Sequence, residues 1–133
     1  MEGIKSPKAV TLPIHKGKGG QIMAAGADIL NGFQCHFIYA YAYTEGITGM
    51  STKPHVHDYE ESIFFMGSDP QNFEDLGATV EFAIGANEEE KFTFDKATAV
   101  VVPAGVPHCP MRTLRIEKPY LCMAVSLTAR RED

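Results

Sequence analysis

Between Phe33 and Thr44 the chain alternates with a period of two. Phe33, Cys35, Phe37, Tyr39, Tyr41 and Tyr43 hold one parity, and Gln34, His36, Ile38, Ala40, Ala42 and Thr44 hold the other. Successive side chains of an extended strand point to opposite faces, so this stretch predicts a long strand. The aromatic parity of Phe37, Tyr39, Tyr41 and Tyr43 is expected to face a core, where large rings are most often buried. Helical periodicity is nearly absent elsewhere, which leaves sheets as the way to bury this chain's apolar side chains.

Further extended regions are predicted at 55–66, 79–84, 91–94, 97–102 and 120–127. Turn chemistry separates them: Gly46 and Gly49, Gly67-Ser68-Asp69-Pro70, Gly85-Ala86-Asn87, and Asp95-Lys96. Short strands between such turns imply an all-β sandwich or barrel. The longest non-strand segment between the two histidine-bearing regions, Asp69 to Gly77, is expected to be a solvated connection, with a flap at a barrel mouth as the functional alternative. The tail Ala129 to Asp133 is expected to fray.

At 133 residues and 44% hydrophobic content, the chain is long and apolar enough for one domain with its own core. That domain is expected to run over 1–133, with the barrel core at about 30–128 and N-terminal extension strands at about 8–30. A net charge of −5 with scattered basic residues argues against a nucleic-acid or anionic-membrane partner. Cys35, Cys109 and Cys122 form no CxxC pair and are odd in number, which suits reduced thiols. Met1 to Lys8 has no long apolar h-region, and no apolar run reaches spanning length, so a cytoplasmic location is expected.

The chemistry concentrates in Pro54-His55-Val56-His57-Asp58-Tyr59-Glu60-Glu61. On a strand, His55 and His57 point the same way, and Glu61 keeps that parity. Glu60 falls on the opposite face and is set aside. His108, inside Pro103-Ala104-Gly105-Val106-Pro107-His108, completes a set of three imidazoles and one carboxylate. Such a set suits one divalent transition metal ion (Fe, Mn, Ni, Co or Zn), with positions left for water or substrate. Imidazoles bind metal only when neutral, so binding is expected to weaken below about pH 6.5.

These segments resemble the two motifs of the cupin superfamily. Gly49, His55, His57 and Glu61 fall in place in the first, with Gly67 closing it one residue early. Pro103, Gly105 and His108 match the second, while Ala97 and Arg112 stand where the family pattern has glycine and asparagine. The motifs run from Gly49 to Arg112, about half the chain. The resemblance implies a jelly-roll β-barrel that holds the metal near its mouth through His55, His57, Glu61 and His108. It also implies a dioxygenase, decarboxylase or isomerase acting on a small organic molecule, or else a non-catalytic cupin that binds or senses a small ligand.

Two other residues are pocket candidates. Tyr59 lies between two ligands on their parity, and Ile63 and Phe65 continue it as an apolar wall. Arg112 shares parity with His108, which would let its planar fork meet a substrate carboxylate. Cys109 is expected to pack. Lys16-Gly17-Lys18-Gly19-Gly20 lacks the spacing of a phosphate loop and reads as a turn. Glu88-Glu89-Glu90 reads as a solvated tip, and His15 and His36 have no partner at ligand spacing. A homodimer is expected, because open sheets leave edges that a second chain can cover and because small cupins often pair.

Overall fold

A computed structural model describes residues 4, 6–17, 20–49 and 51–129; the expectation for the tail at 130–133 lies outside them. The described chain is all strand and turn. In order the strands are β1 Ile14–Gly17, β2 Gly20–Ala25, β3 His36–Ala42, β4 Gly46–Thr48, β5 Glu61–Gly67, β6 Asp75–Ile84, β7 Glu90–Lys96, β8 Thr98–Val102, β9 His108–Ile116 and β10 Tyr120–Ser126.

They form a six-stranded sheet in the order β1-β2-β3-β10-β5-β8 and a four-stranded sheet in the order β4-β9-β6-β7. Every pairing is antiparallel. The sheets face one another as a jelly-roll sandwich and do not close into one ladder. Between them lies a core that includes Ile63, Phe65, Leu76, Val80, Phe82, Val100, Val102 and Tyr120. Phe65 packs edge-on against Phe82 and Phe94, so one ring from the six-stranded sheet ties the two layers together.

Strand β5 shows the expected alternation, with Glu61, Ile63, Phe65 and Gly67 buried and the residues between them half-buried. Strand β3 alternates too, but its faces are the reverse of the expectation. Tyr39, Tyr41 and Tyr43 point outward with exposures of 36%, 41% and 50%. The register supplies the reason. Ala42 lies opposite Tyr120, whose side chain is fully buried and fills the inner space, so β3 presents small residues there.

Three other expectations shift. The ladder of the 55–66 region begins only at Glu61, because the chain bends at Asp58 and Tyr59; His55 joins the sheets through a single bridge to His108. Strand β6 begins at Asp75, so the long connection shrinks to a compact turn in which Asn72 donates to the Asp69 carbonyl and Gly67 to that of Phe73. Strand β9 is the long element that alternation missed. The pairing of β6 with β9 slips between Phe82 and Ile84, and Cys109 has φ of 79° beside it, so His108, Cys109 and Pro110 are all buried in succession.

Candidate metal centre

The site is assembled at one end of the sandwich from three pieces of chain. Glu61 is the first residue of β5, and its cross-strand neighbours are Ser126 of β10 and Val102 of β8. His108 opens β9 from the facing sheet. His55 and His57 arrive on the extended segment before β5. His55 is pinned by a reciprocal pair of backbone bonds with His108, each N–H donating to the other's carbonyl at 3.0 Å. His57 is fixed through its carbonyl, which accepts from the Gly105 N–H at 2.7 Å. Gly105 has φ of 83°, a left-handed backbone that glycine adopts without strain. The turn predicted from Pro103 and Gly105 thus grips the His55–His57 segment as well as presenting His108.

One donor atom from each of His55, His57, Glu61 and His108 lies within 4.8 Å of every other. His57, Glu61 and His108 are buried, at 7%, 3% and 1% exposure, while His55 is half-buried. Metal–nitrogen and metal–oxygen bonds of about 2.0–2.2 Å place ligand atoms around one ion at most about 4.4 Å apart. The cluster therefore needs only a few tenths of an ångström of adjustment to hold one.

The hydrogen bonding of His108 sharpens that fit. Its Nδ1 lies 2.9 Å from the Val106 carbonyl, which only accepts, so this nitrogen carries the proton. In the neutral ring, Nε2 is then a lone pair, and it faces Glu61 Oε1 at 3.1 Å. Two acceptors at that distance require a positive charge between them, either a second ring proton or a metal ion. Glu61 Oε2 is already engaged by the Ser126 hydroxyl at 2.8 Å. The carboxylate is thereby turned so that Oε1 points into the cluster.

Aromatic packing fixes the rings. Tyr59 lies nearly parallel to His57, with centroids 4.6 Å apart and planes inclined by 11°. Phe82 lies parallel to His108 at 6.4 Å and 7°. Tyr59 therefore stands beside the cluster as a buried backing for His57. Glu60 is exposed, as its parity implied. Ile63 and Phe65 continue inward from Glu61 as the apolar wall.

Arg112 does not reach the site. The slip and bulge at Phe82–Ile84 and Cys109 reset the parity of β9, so Thr113 faces inward and Arg112 outward. There it donates to Glu88 at 2.8 Å and to Glu81 at 3.4 Å. These bonds hold the Glu88 carboxyl below, and the guanidinium above, their ordinary values. Glu88 is accordingly half-buried, which corrects part of the solvated tip expected at 88–90. Cys109 packs in the core, as expected.

Ser126 and Phe82 escaped the sequence reading. For Ser126 the signal was present: it is the polar member of the inward parity Tyr120, Cys122, Ala124 and Ser126.

No protein-family model matches the sequence, and no curated protein matches it either. Solved structures do. A serine-to-alanine variant and an arginine-to-alanine variant of oxalate decarboxylase from Bacillus subtilis each superpose with a TM-score of 0.62 at 12% identity, over 98% of this chain. The chain has the cupin fold. It spans 32% of the length of those cupin chains. A further structure of the same Bacillus subtilis enzyme, with a TM-score of 0.61 at 12% identity, is described by its Mn(II) centres. At this identity the likeness establishes the cupin architecture, and the four donors stand on their own geometry.

Proposed function

We propose that this cupin binds one divalent transition metal ion through His55, His57, Glu61 and His108 and is a metal-dependent enzyme acting on a small organic substrate. The observation that carries this reading is the gathering of four donor atoms, one each from His55, His57, Glu61 and His108, within 4.8 Å of one another at a largely buried position. Manganese is the first ion to try, because the Bacillus oxalate decarboxylase is described by its Mn(II) centres. An ion held there would supply Lewis acidity and a template for an oxygen-bearing substrate.

The chain's own residues do the rest. Ser126 and Val106 orient Glu61 and His108, and Tyr59 and Phe82 restrain two of the rings. Buried Ile63, Phe65 and Val102 exclude water from the side of the cluster that faces the core. His55, half-buried, marks the side from which a substrate enters.

The test is elemental analysis of purified protein beside a His57→Ala variant, followed by turnover assays on small mono- and dicarboxylates with and without added Mn(II). Stoichiometric metal in the parent, its loss in the variant, and metal-dependent product formation are expected. Equal metal content in both proteins would remove the site assignment. Metal-dependent binding without turnover would make the protein a ligand-binding cupin instead.

A further inference from the structure

We infer that the substrate of the metal centre proposed above carries one coordinating head and an uncharged, apolar body, which lies between the sheets along the inner face of β3 and β10. Cross-strand partners share a face, so the register sorts the inward residues of the six-stranded sheet into rows. His36, Ser126, Glu61 and Val102 form the row at the metal end. The next row is Ala24, Ile38, Ala124, Ile63 and Val100, and beyond it come Ile22, Ala40, Cys122, Phe65 and Thr98. Ala42, Tyr120 and Gly67, all buried, close the series.

The two apolar rows are unevenly covered. On β5 and β8, Ile63, Phe65 and Val100 are no more than 4% exposed, whereas the members on β2, β3 and β10 are half-buried. Ile22 and Ile38 have large side chains, so their partial exposure on this parity means that water reaches the inner face there. Between them and Glu61 stand Ala40, Ala124 and Cys122, side chains too small to fill the roughly 10 Å that separates facing sheets. Across the gap Met111 of β9, the cross-strand neighbour of buried Phe82, is half-buried as well. A thioether adapts its shape to an apolar partner.

Charge selects the occupant. From β2 to β8 neither row contains an acidic or basic side chain, and His15 on β1, at the outer end of the second, is exposed. The Thr98 hydroxyl donates to the Lys96 carbonyl. Arg112, Arg115 and Lys118, from β9 and the turn after it, are each paired with a carboxylate, those of Glu88, Glu117 and Asp75. A second carboxylate on the substrate would therefore enter the gap without a counter-ion, which is costly. Methylene groups laid against Ile38, Ala40 and Ala124 would instead leave water, which is favourable. Inward rows lie about 6.8 Å apart, so the two give such a body about 13 Å of length.

Isothermal titration of straight-chain alkyl hydroxamates into the Mn(II)-loaded protein tests this, because the head chelates metal and the tail can be lengthened. Affinity should rise about threefold to fourfold per methylene from acetohydroxamate to hexanohydroxamate. A carboxylate in place of the terminal methyl should cost at least about tenfold. Ala40→Leu and Ala124→Leu should flatten the dependence on chain length, while Ala99→Leu, exposed on the outer face of β8, should keep it. Two wall positions are used so that misfolding of one variant leaves the other to decide. Acetohydroxamate binding with no gain from a longer tail, or with equal affinity for the carboxylate-tipped ligand, overturns the apolar body and leaves the metal centre standing. A protein that takes up no Mn(II) overturns the coordinating head instead. The body is then tested in metal-free protein, where 1-hexanol should shift the amide resonances of Ala40 and Ala124 and leave that of Ala99 in place. Absence of those shifts overturns it.

Discussion

The sandwich carries two buried polar clusters, one at each end of β10, and they are satisfied in opposite ways. At the far end the hydroxyls of Thr48, Thr113 and Tyr120 serve one another, with Thr113 2.7 Å from both Tyr120 and Thr48. A hydroxyl both donates and accepts, so this triad closes on itself and needs nothing more. At the near end Ser126 donates to Glu61 Oε2, and Oε1 faces His108 Nε2 at 3.1 Å, a contact completed either by a second ring proton or by a metal ion. The far network is complete as it stands, whereas the near one takes a proton or a metal ion between Glu61 and His108. The two clusters are fully buried at Tyr120 and nearly so at His108, so burial alone would not tell them apart.

The largest expected effect falls at the near end. Glu61→Gln keeps the shape of the carboxylate and removes its charge, and should weaken Mn(II) binding by more than about 100-fold, measured by isothermal titration. Unchanged affinity would reduce the near cluster to the same structural standing as the far one. Ser126→Ala should follow with a loss of about 10–100-fold, the usual effect of removing a residue that orients a ligand. Its fold should be retained, checked by circular dichroism.

Tyr120→Phe is the mirror experiment. It should lower stability by about 1–2 kcal/mol in urea denaturation and leave metal affinity unchanged, because Thr48 and Thr113 still pair with each other. Burial pushes the Tyr120 phenol above its ordinary value of 10.0, partly offset by its bonds to Thr113 and Thr48. Below pH 10 both folded and unfolded phenols are protonated and the contribution is complete. Above it the unfolded phenol ionises first, so stability should fall with rising pH, and this part of the fall should vanish in Tyr120→Phe. The smallest effect belongs to Arg112→Ala. Outside both clusters, it should leave metal content unchanged and lower Tm only slightly, since exposed ion pairs contribute little.

What was legible from sequence divides along the same lines. Strand identity in β5, β8 and β10 followed from period-two patterns and turn residues, because those strands are paired on both sides or end at clear turns. The four donors were legible from residue type and spacing. The inside of β3 was not, because tyrosine suits a core and an interface equally well and only the bulk of Tyr120 opposite Ala42 decides between faces. Arg112 was misplaced for a different reason. A bulge at Cys109 shifts parity by one, and counting along a strand assumes that none exists.

The bridge between His55 and His108 bears on how fast the centre would load and empty. Two of the four donors sit on backbones that are bonded to each other in both directions, and a third, His57, is held by the next turn. Rotating one imidazole away would leave three donors in place. Lifting the 51–60 segment from β9 would instead carry His55 and His57 away together. Exchange of the metal should therefore keep pace with amide-proton exchange at His55 and His108. The lifetime of the loaded state would be written in two main-chain hydrogen bonds.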